Sequence, residues 1–292
     1  MSKDWQNVSR ESPCPVCGKT DWCTVGARFV HCMRMESERT CEGGGWLHRK
    51  DADEKHAPST PISAPKVSDE VMRNRWTPIA LAAEKSGIDR LPQLAVQLGV
   101  SVESLRKLHV GYANLQGSWC WTFPERNARG WIVGIQRRLV APKEGHRDKL
   151  CAKGSRRGLT YCDDCHQYPG PIWIVEGGSD VAAGITIGWC VVGRPSNIGG
   201  LRQLAELLHA HRKRKMIVVA ERDKKPKLYV QQMQPPHDAK CRCCNRCWPG
   251  LYGARQLAHQ LSKRLGSHVV TRFAPNHAKD LREYVQKEGP LQ

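Results

Sequence analysis

The sequence predicts an α/β protein in which a small cysteine-rich module precedes a larger domain built on a parallel sheet. Three observations support this fold class. Cysteines cluster in the first 50 residues, and a charged stretch rich in Pro and Ser follows at residues 51–68. After Pro171, short apolar runs alternate with helical patterns. A chain of 292 residues is long enough to bury a sizeable core beside a small module.

The region after Pro171 has the βαβ rhythm of an open α/β sheet. Apolar runs with the length of buried parallel strands occur at residues 172–175, 189–192, 216–220 and 269–272. Helical patterns occur at residues 179–187, 200–212, 252–265 and 279–287. Because strands and helices alternate, we expect a parallel sheet with helices packed on its faces.

The middle of the chain predicts short helices and a hairpin. A helical pattern begins at Trp76, and two apolar faces broken at Gly99 predict two short helices near residues 91–98 and 102–108. Aromatic and β-branched residues become frequent between residues 119 and 139. Residues 127–130 are the expected turn of an antiparallel hairpin.

The charge balance favours a polyanionic partner. The chain carries 46 Lys and Arg against 28 Asp and Glu, a formal net charge of +18, which attracts DNA or RNA. No apolar run approaches the roughly 20 residues of a spanning helix, and no signal-peptide pattern opens the chain. We therefore expect no membrane partner and a cytoplasmic location, where cysteines are free to bind metal.

The amino-terminal cysteines predict a structural zinc site. Cys14-Pro-Val-Cys17 is typical of a knuckle, a tight turn that presents two thiolates to one metal. The candidates for the other two ligands are Cys23, Cys32, Cys41, His31 and His48. We favour Cys23 and Cys32, because the residues between them predict a ribbon that returns to the knuckle. Four protein ligands leave no open position, so Zn²⁺ would stabilise the fold. Trp46 either stacks a nucleic-acid base or packs in this small core.

Carboxylates follow two of the predicted parallel strands. Glu176 comes directly after the first strand, and Asp180 follows in a turn that opens a helix. Glu221 and Asp223 follow the third strand, where alternation places them on one face. The carboxyl ends of parallel strands face the ligand crevice, and hard oxygen ligands suit Mg²⁺, or Mn²⁺ in its place. A further element, Lys279-Asp280, follows the last strand. Taken singly, Asp180 could instead be a helix cap.

This constellation resembles the Toprim domain of bacterial primases, topoisomerases and some nucleases. Glu176-Gly177 matches the family's acidic residue and Gly, and Glu221-Arg-Asp223 matches its Asp-x-Asp with Glu in the first place. The resemblance implies that Glu176 assists proton transfer and belongs to a magnesium site with Glu221 and Asp223. Lys279-Asp280 is similar to the family's closing Lys-Asp element.

The order of segments resembles the bacterial primase architecture and predicts a zinc ribbon, a primase-like core and a Toprim parallel α/β sheet. The predicted domains are a zinc ribbon at 1–50, a linker at 51–75, the amino-terminal part of the catalytic core at 76–165, and a Toprim domain at 166–292 with a Cys-rich insertion at 224–249. The resemblance implies synthesis of RNA primers from nucleoside triphosphates on single-stranded DNA. A replicative helicase would then be a separate protein.

Basic residues of the middle segment are expected to line a groove for template phosphates and nucleotides. The candidates are Arg137, Arg138, Lys149, Lys153, Arg156 and Arg157. Two other functions remain open, a Toprim nuclease and a non-catalytic zinc-containing DNA-binding protein. The second rests on residues 94–108, which are compatible with a helix-turn-helix.

A second group of cysteines predicts a further zinc site. Cys244 and Cys247 lie in the Cys-rich insertion, and Cys162 and Cys165 form another pair with the same spacing. Two such pairs are a familiar zinc set, so we favour a shared site. The insertion binding zinc by itself and a metal-free arrangement remain alternatives.

Overall fold

The structure is a computed structural model, and it contains three four-stranded sheets. It describes residues 5–35, 37, 39, 41, 45–50, 67–142, 148–197, 199–225, 244 and 247–288. The greater part of the predicted linker and of the Cys-rich insertion lies outside these residues. No described helix is long and apolar enough to cross a membrane.

The amino-terminal module is an antiparallel sheet with its strands in chain order. The strands are β1 (Gln6–Asn7), β2 (Thr24–Val25), β3 (Phe29–Cys32) and β4 (Trp46–Arg49). Its small core joins Val8 and Val30 to three buried cysteines. Apolar burial this limited rarely stabilises a module alone, and modules of this size commonly depend on a bound metal.

The first helix corrects the predicted linker boundary. The described helices before the second sheet are α1 (Asp69–Gly87), α2 (Leu91–Leu98) and α3 (Val102–Lys107). Helix α1 thus begins seven residues before the predicted start at Trp76. Ser68 caps the helix by accepting a hydrogen bond from the Val71 amide (3.2 Å). Met72, in the first turns, is buried in an apolar cluster that includes Trp76. The charged residues of this first turn concealed the helix in the sequence.

The second sheet confirms the predicted hairpin. Its antiparallel strands, in spatial order, are β5 (Gly111–Leu115), β6 (Ser118–Arg126), β7 (Ile132–Leu139) and β8 (Lys149–Cys151). The turn between β6 and β7 is held by Asn127, whose Oδ1 accepts hydrogen bonds from the amides of Arg129 and Trp131 (3.0 Å each).

The third sheet is parallel throughout, as predicted. Its strands are β9 (Ile172–Glu176), β10 (Cys190–Arg194), β11 (Met216–Ala220) and β12 (Val269–Phe273), in spatial order β10-β9-β11-β12. The described helices around it are α4 (Gly178–Thr186), α5 (Leu201–Leu208), α6 (Pro249–Leu265) and α7 (Leu281–Glu288). Residues 209–211 continue α5 as a 3₁₀ turn.

One apolar core joins the middle segment to the parallel sheet. Leu105 of α3 and Trp121 of β6 belong to the same buried cluster as Ile174 of β9. Helix α3 also packs on α4, because the Ser101 amide donates to Thr186 Oγ1 (3.0 Å). A recognition helix presents its amino-terminal residues to DNA, and here that end is packed against the protein. This packing argues against the helix-turn-helix reading.

Candidate functional site

Four amino-terminal cysteines converge on one point. The Sγ atoms of Cys14, Cys17, Cys23 and Cys32 lie within 4.8 Å of one another. A hydrogen bond to Cys23 (Sγ–Sγ 3.7 Å) lowers the pKa of the Cys17 thiol and raises that of Cys23. These are the four cysteines favoured as ligands from the sequence, and Cys41 lies outside the group. The set can bind a tetrahedral metal ion.

The structure does not bring the two later cysteine pairs together. Cys244 and Cys247 are neighbours (Sγ–Sγ 3.4 Å). Cys162 and Cys165 are buried, and burial raises the pKa of Cys165 to about 12. Among the described residues, these four thiols do not form a group of three or more ligands. Within the part of the chain that the structure describes, the two pairs therefore do not form the shared group favoured from the sequence.

Three carboxylates meet at the carboxyl end of the parallel sheet. Oxygens of Asp180, Glu221 and Asp280 lie within 4.8 Å of one another; we call these three residues the acidic cluster. Asp180 lies in the first turn of α4, Glu221 follows β11, and Asp280 immediately precedes α7. The topology brings them together because parallel strands end at one edge of the sheet.

The acidic cluster is largely shielded from solvent, with Asp180 buried and Glu221 half-buried. Burial, with Asp280 nearby, raises the pKa of Asp180 to about 7. Burial, together with the charges of Glu176 and Asp180, raises the pKa of Glu221 to about 8. Three acidic groups held at this separation favour either a bound proton or a bound cation.

Each buried aspartate also has a structural partner. Asp180 accepts a hydrogen bond from the Arg282 amide (3.0 Å), which ties α4 to α7. Asp180 does not cap its own helix, since Gly177 occupies the cap position. Asp280 caps α7 by accepting from the Glu283 amide (2.8 Å). These bonds fix the direction of both carboxylates.

Glu176 lies beside the cluster above a buried arginine. Arg194 pairs with Glu176 in the β9–β10 register, and its Nη2 is 4.0 Å from Glu176 Oε2. The Arg194 side chain is fully buried, and its Nε and Nη2 lack a hydrogen-bond partner among the described residues. Burial lowers the pKa of Arg194, and the charges of Glu176 and Glu221 oppose that shift. Arg194 is thus an internal cation of the site.

Asp223 and Lys279 occupy the margin of the site. Asp223 Oδ1 accepts a hydrogen bond from the Gly250 amide (2.9 Å) at the start of α6, outside the acidic cluster. Of the predicted magnesium ligands Glu176, Glu221 and Asp223, only Glu221 therefore belongs to the acidic cluster. The Lys279 carbonyl accepts from the Arg222 amide (2.8 Å), which joins the last loop to the end of β11.

The antiparallel sheet brings basic residues to the same crevice. Lys149 Nζ lies 3.4 Å from Ser179 Oγ, one residue before Asp180. Arg138, opposite Lys149 in the β7–β8 register, pairs with Asp148 (3.2 Å). Burial lowers the pKa of Arg138, and Asp148 partly restores it. The Lys149 charge acts on Asp180, where it opposes the rise in the pKa of that buried carboxyl.

Three of the predicted groove residues have internal partners instead. Arg137 is buried and donates to the Leu115 carbonyl (2.7 Å). Arg157 holds the buried carboxylate of Glu125 (2.7 Å). Arg156 bonds to the Asp69 carboxylate and so secures the start of α1. Two other candidates are placed differently, since Lys153 is exposed and Trp46 is half-buried, opposite Cys32.

Sequence reasoning missed Arg194 altogether. It identified Asp180 and Asp280 as candidates but did not group them with Glu221. Arg194 ends a strand one position after a Gly, and no local pattern distinguishes it from a surface arginine. The signal that finds it is topological, because β10 lies next to β9 and its last residue is opposite Glu176.

Solved structures share this architecture at low sequence identity. The structure of a DnaG primase catalytic domain bound to single-stranded DNA matches with a TM-score of 0.52 and 15% identity, over 76% of each chain. A DnaG catalytic core matches with a TM-score of 0.51 and 15% identity, over 75% of this chain and 76% of the other. The zinc-binding and RNA polymerase domains of the Aquifex aeolicus primase match with a TM-score of 0.51 and 14% identity.

The Aquifex aeolicus match covers 77% of this chain and 60% of that protein. No family model and no curated protein matches the sequence. At these identities the likeness establishes the fold. The chain therefore has the α/β fold of a bacterial primase catalytic core, with a four-cysteine ribbon at its amino end.

Proposed function

We propose that this chain is a DNA primase, a nucleotidyltransferase that joins nucleoside triphosphates into short RNA primers on single-stranded DNA. The observation that carries the proposal is the acidic cluster of Asp180, Glu221 and Asp280 beside Glu176, on a primase-core fold. Clustered carboxylates at the carboxyl end of a parallel sheet are suited to magnesium-dependent phosphoryl transfer.

The acidic cluster fits Mg²⁺, or Mn²⁺ in its place. It offers only carboxylate oxygens, and the raised pKa values of Asp180 and Glu221 reflect buried acids that lack sufficient positive charge. Asp180, Glu221 and Asp280 would hold a divalent cation, which would supply that missing positive charge. Bound there, it would neutralise the triphosphate and orient it for attack.

The protein's own groups would handle the proton and the phosphates. The primer 3′ oxygen attacks the α-phosphorus, pyrophosphate leaves, and Glu176 accepts the hydroxyl proton. The buried guanidinium of Arg194, 4.0 Å from Glu176 Oε2, would fix the position of this carboxylate. Arg138 and Lys149, on the facing sheet, would meet phosphates of the template or of the incoming nucleotide.

The amino-terminal ribbon would support template use without taking part in chemistry. Four thiolates around Zn²⁺ leave no open position for substrate. The net charge of +18 makes a polyanionic template a favourable partner. A replicative helicase would act as a separate partner.

Primer synthesis on a single-stranded template tests the proposal directly. Purified protein is incubated with template, labelled nucleoside triphosphates and Mg²⁺, with reactions lacking template, nucleotides or divalent metal as controls. The proposal predicts short labelled products only in the complete reaction, and none from an Asp180→Asn variant. Glu206→Gln, which removes an exposed carboxylate on α5, is the matched control and should keep full synthesis.

The same reactions separate a primase from a nuclease. Labelling the template instead of the nucleotides reports cleavage. Metal-dependent shortening of the template without new products would replace the primase by the Toprim nuclease. Neither products nor cleavage with any divalent metal would contradict enzymatic function at this site.

A further inference from the structure

The second sheet carries an aromatic stack that no catalytic step uses. Trp119 of β6 stacks on Tyr112 of β5, with ring centroids 5.1 Å apart and ring planes 16° apart. The indole of Trp119 is 55% exposed, although Trp121, two residues along the strand, is only 3% exposed. An exposed flat ring that is already fixed by a neighbour can accept another ring at little entropic cost.

The stack has a cation beside it. The Arg90 guanidinium lies over the Tyr112 ring, 4.8 Å from the centroid, and Arg90 is exposed. Trp121 meets the same Tyr112 ring edge-on, at 5.0 Å. An exposed tryptophan supported by tyrosine, with an arginine next to it, is the combination that stacks bases and contacts phosphates of a single strand.

Strand register connects this stack to the acidic cluster. Tyr112 is opposite Trp121, Trp121 is opposite Arg138, and Arg138 is opposite Lys149. Residues directly opposite one another project on the same face of a sheet, so these four form one row across the sheet. The row spans about 14 Å, three strand spacings, and its Lys149 end reaches Ser179 of α4.

Trp119 lies on the same face as this row, because it is two residues from Trp121 on one strand. It is thus at the outer end of a path that runs from an exposed aromatic ring, past two cations, to the acidic cluster. Arg138 Nη1 is buried there without a hydrogen-bond partner among the described residues. A single strand with one base on Trp119 would lie at the outer end of this row, with Arg138 and Lys149 between it and the acidic cluster.

We propose that Trp119, supported by Tyr112 and Arg90, is a base-stacking site for single-stranded DNA that leads toward the acidic cluster. The inference names the template-binding site of the proposed primase and rests on that function. A cross-strand aromatic pair that only stabilises the sheet is the competing account. The two differ in one property, since only a stacking site distinguishes DNA with bases from DNA without them.

The test compares oligothymidylate with an abasic oligomer of equal length and charge. Binding is measured by fluorescence anisotropy of a dye-labelled oligomer, without added Mg²⁺ or nucleotides and without a chelator that would remove zinc, so that the result is independent of catalysis. Wild-type protein should prefer the oligomer with bases about tenfold, the contribution of roughly one stacked base. Trp119→Ala should bind both oligomers equally, while Trp119→Phe should retain part of the preference.

Two further variants keep the result interpretable. Val140→Ala removes exposed apolar surface next to Trp119 and should preserve the preference. Trp119→Leu fills the position without an aromatic ring and should lose the preference, even if Trp119→Ala unfolds. An undiminished preference in Trp119→Leu would overturn the inference, and so would a wild type that does not distinguish the two oligomers. A protein that stacks bases but makes no primers would contradict the proposed function alone.

Discussion

The two ligand clusters of this protein are built in opposite ways. The four cysteines lie between residues 14 and 32 and converge through a knuckle and a short ribbon. The acidic cluster collects Asp180, Glu221 and Asp280 from three separate segments of the chain, and Asp180 and Asp280 are 100 residues apart. The first is a closed set of four ligands that holds a fold, and the second is an incomplete set that leaves room for substrate. Local spacing specifies the first cluster, whereas the order of strands specifies the second.

The largest expected effect comes from removing a carboxylate of the acidic cluster. Glu221→Gln and Asp280→Asn each keep the shape of the side chain and remove one charge, and asparagine can still cap α7. We expect primer synthesis to fall by more than about 100-fold. This loss exceeds the one typical of a residue that contacts a metal ligand but not the metal itself. Synthesis is measured as nucleotide incorporation across a Mg²⁺ titration. Unchanged synthesis in both variants at low Mg²⁺ would remove the cluster from the mechanism.

Breaking the cysteine cluster should damage one module and spare the other. Cys14→Ser removes a ligand, and structural zinc sites contribute about 10–16 kcal/mol to folding of a small module. We expect zinc content to fall from about one ion per chain, with loss of the ribbon's thermal transition and retention of the main transition. Cys41→Ser, in the same module but outside the cluster, should keep its zinc. Equal zinc content in both variants would contradict this ligand set.

Replacing the buried arginine should affect turnover and metal binding in opposite directions. Arg194→Met removes the cation beneath Glu176, so the carboxylate loses its support and the rate should fall about tenfold. The same change removes a positive charge that repels Mg²⁺, so the apparent Mg²⁺ affinity should rise. Arg194→Lys retains the charge and should resemble wild type in Mg²⁺ affinity. Thermal denaturation checks that each variant folds, and a fall in rate and affinity together would contradict the assignment.

The smallest expected effect is a pH dependence of stabilisation by Mg²⁺. The pKa values of about 7 for Asp180 and about 8 for Glu221 are higher than in an unfolded chain. The folded state therefore holds more protons, and its free energy of unfolding falls as pH rises through about 4 to 8. Mg²⁺ competes with these protons, so it should raise Tm more at pH about 8.5 than at about 6. Equal Tm shifts at both pH values, or a shift that survives in Glu221→Gln, would contradict it.

The sequence predicted the parallel sheet and the cysteine ligands well, because both depend on local patterns. Apolar runs at residues 172–175 and 216–220 became β9 and β11, and Cys14 to Cys32 met as expected. The start of α1 was missed, because Asp69 and Glu70 gave its first turn the composition of a linker. Helix caps favour such acidic residues, which hides an amphipathic pattern.

The composition of the candidate site was only partly predictable. Glu221 was predicted as a metal ligand and lies in the acidic cluster. Asp223 was also predicted, but it accepts a hydrogen bond from the Gly250 amide, and Asp280 occupies the cluster in its place. Arg137, Arg156 and Arg157 were expected in a groove and are instead bonded inside the fold. Burial and partners depend on tertiary contacts, so residue type and charge could not separate these arginines from Arg138.

The most direct test of the central claim separates chemistry from template binding in a single variant. Glu176→Gln is nearly isosteric and removes one charge beside the acidic cluster, while Trp119, Arg138 and Lys149 keep their places on the facing sheet. Primer synthesis and the affinity for single-stranded DNA are measured on the same preparation, with Glu206→Gln as the control. We expect Glu176→Gln to abolish synthesis and to leave the affinity for single-stranded DNA within about twofold of wild type. Full synthesis by Glu176→Gln, or loss of synthesis and DNA binding together, would contradict it.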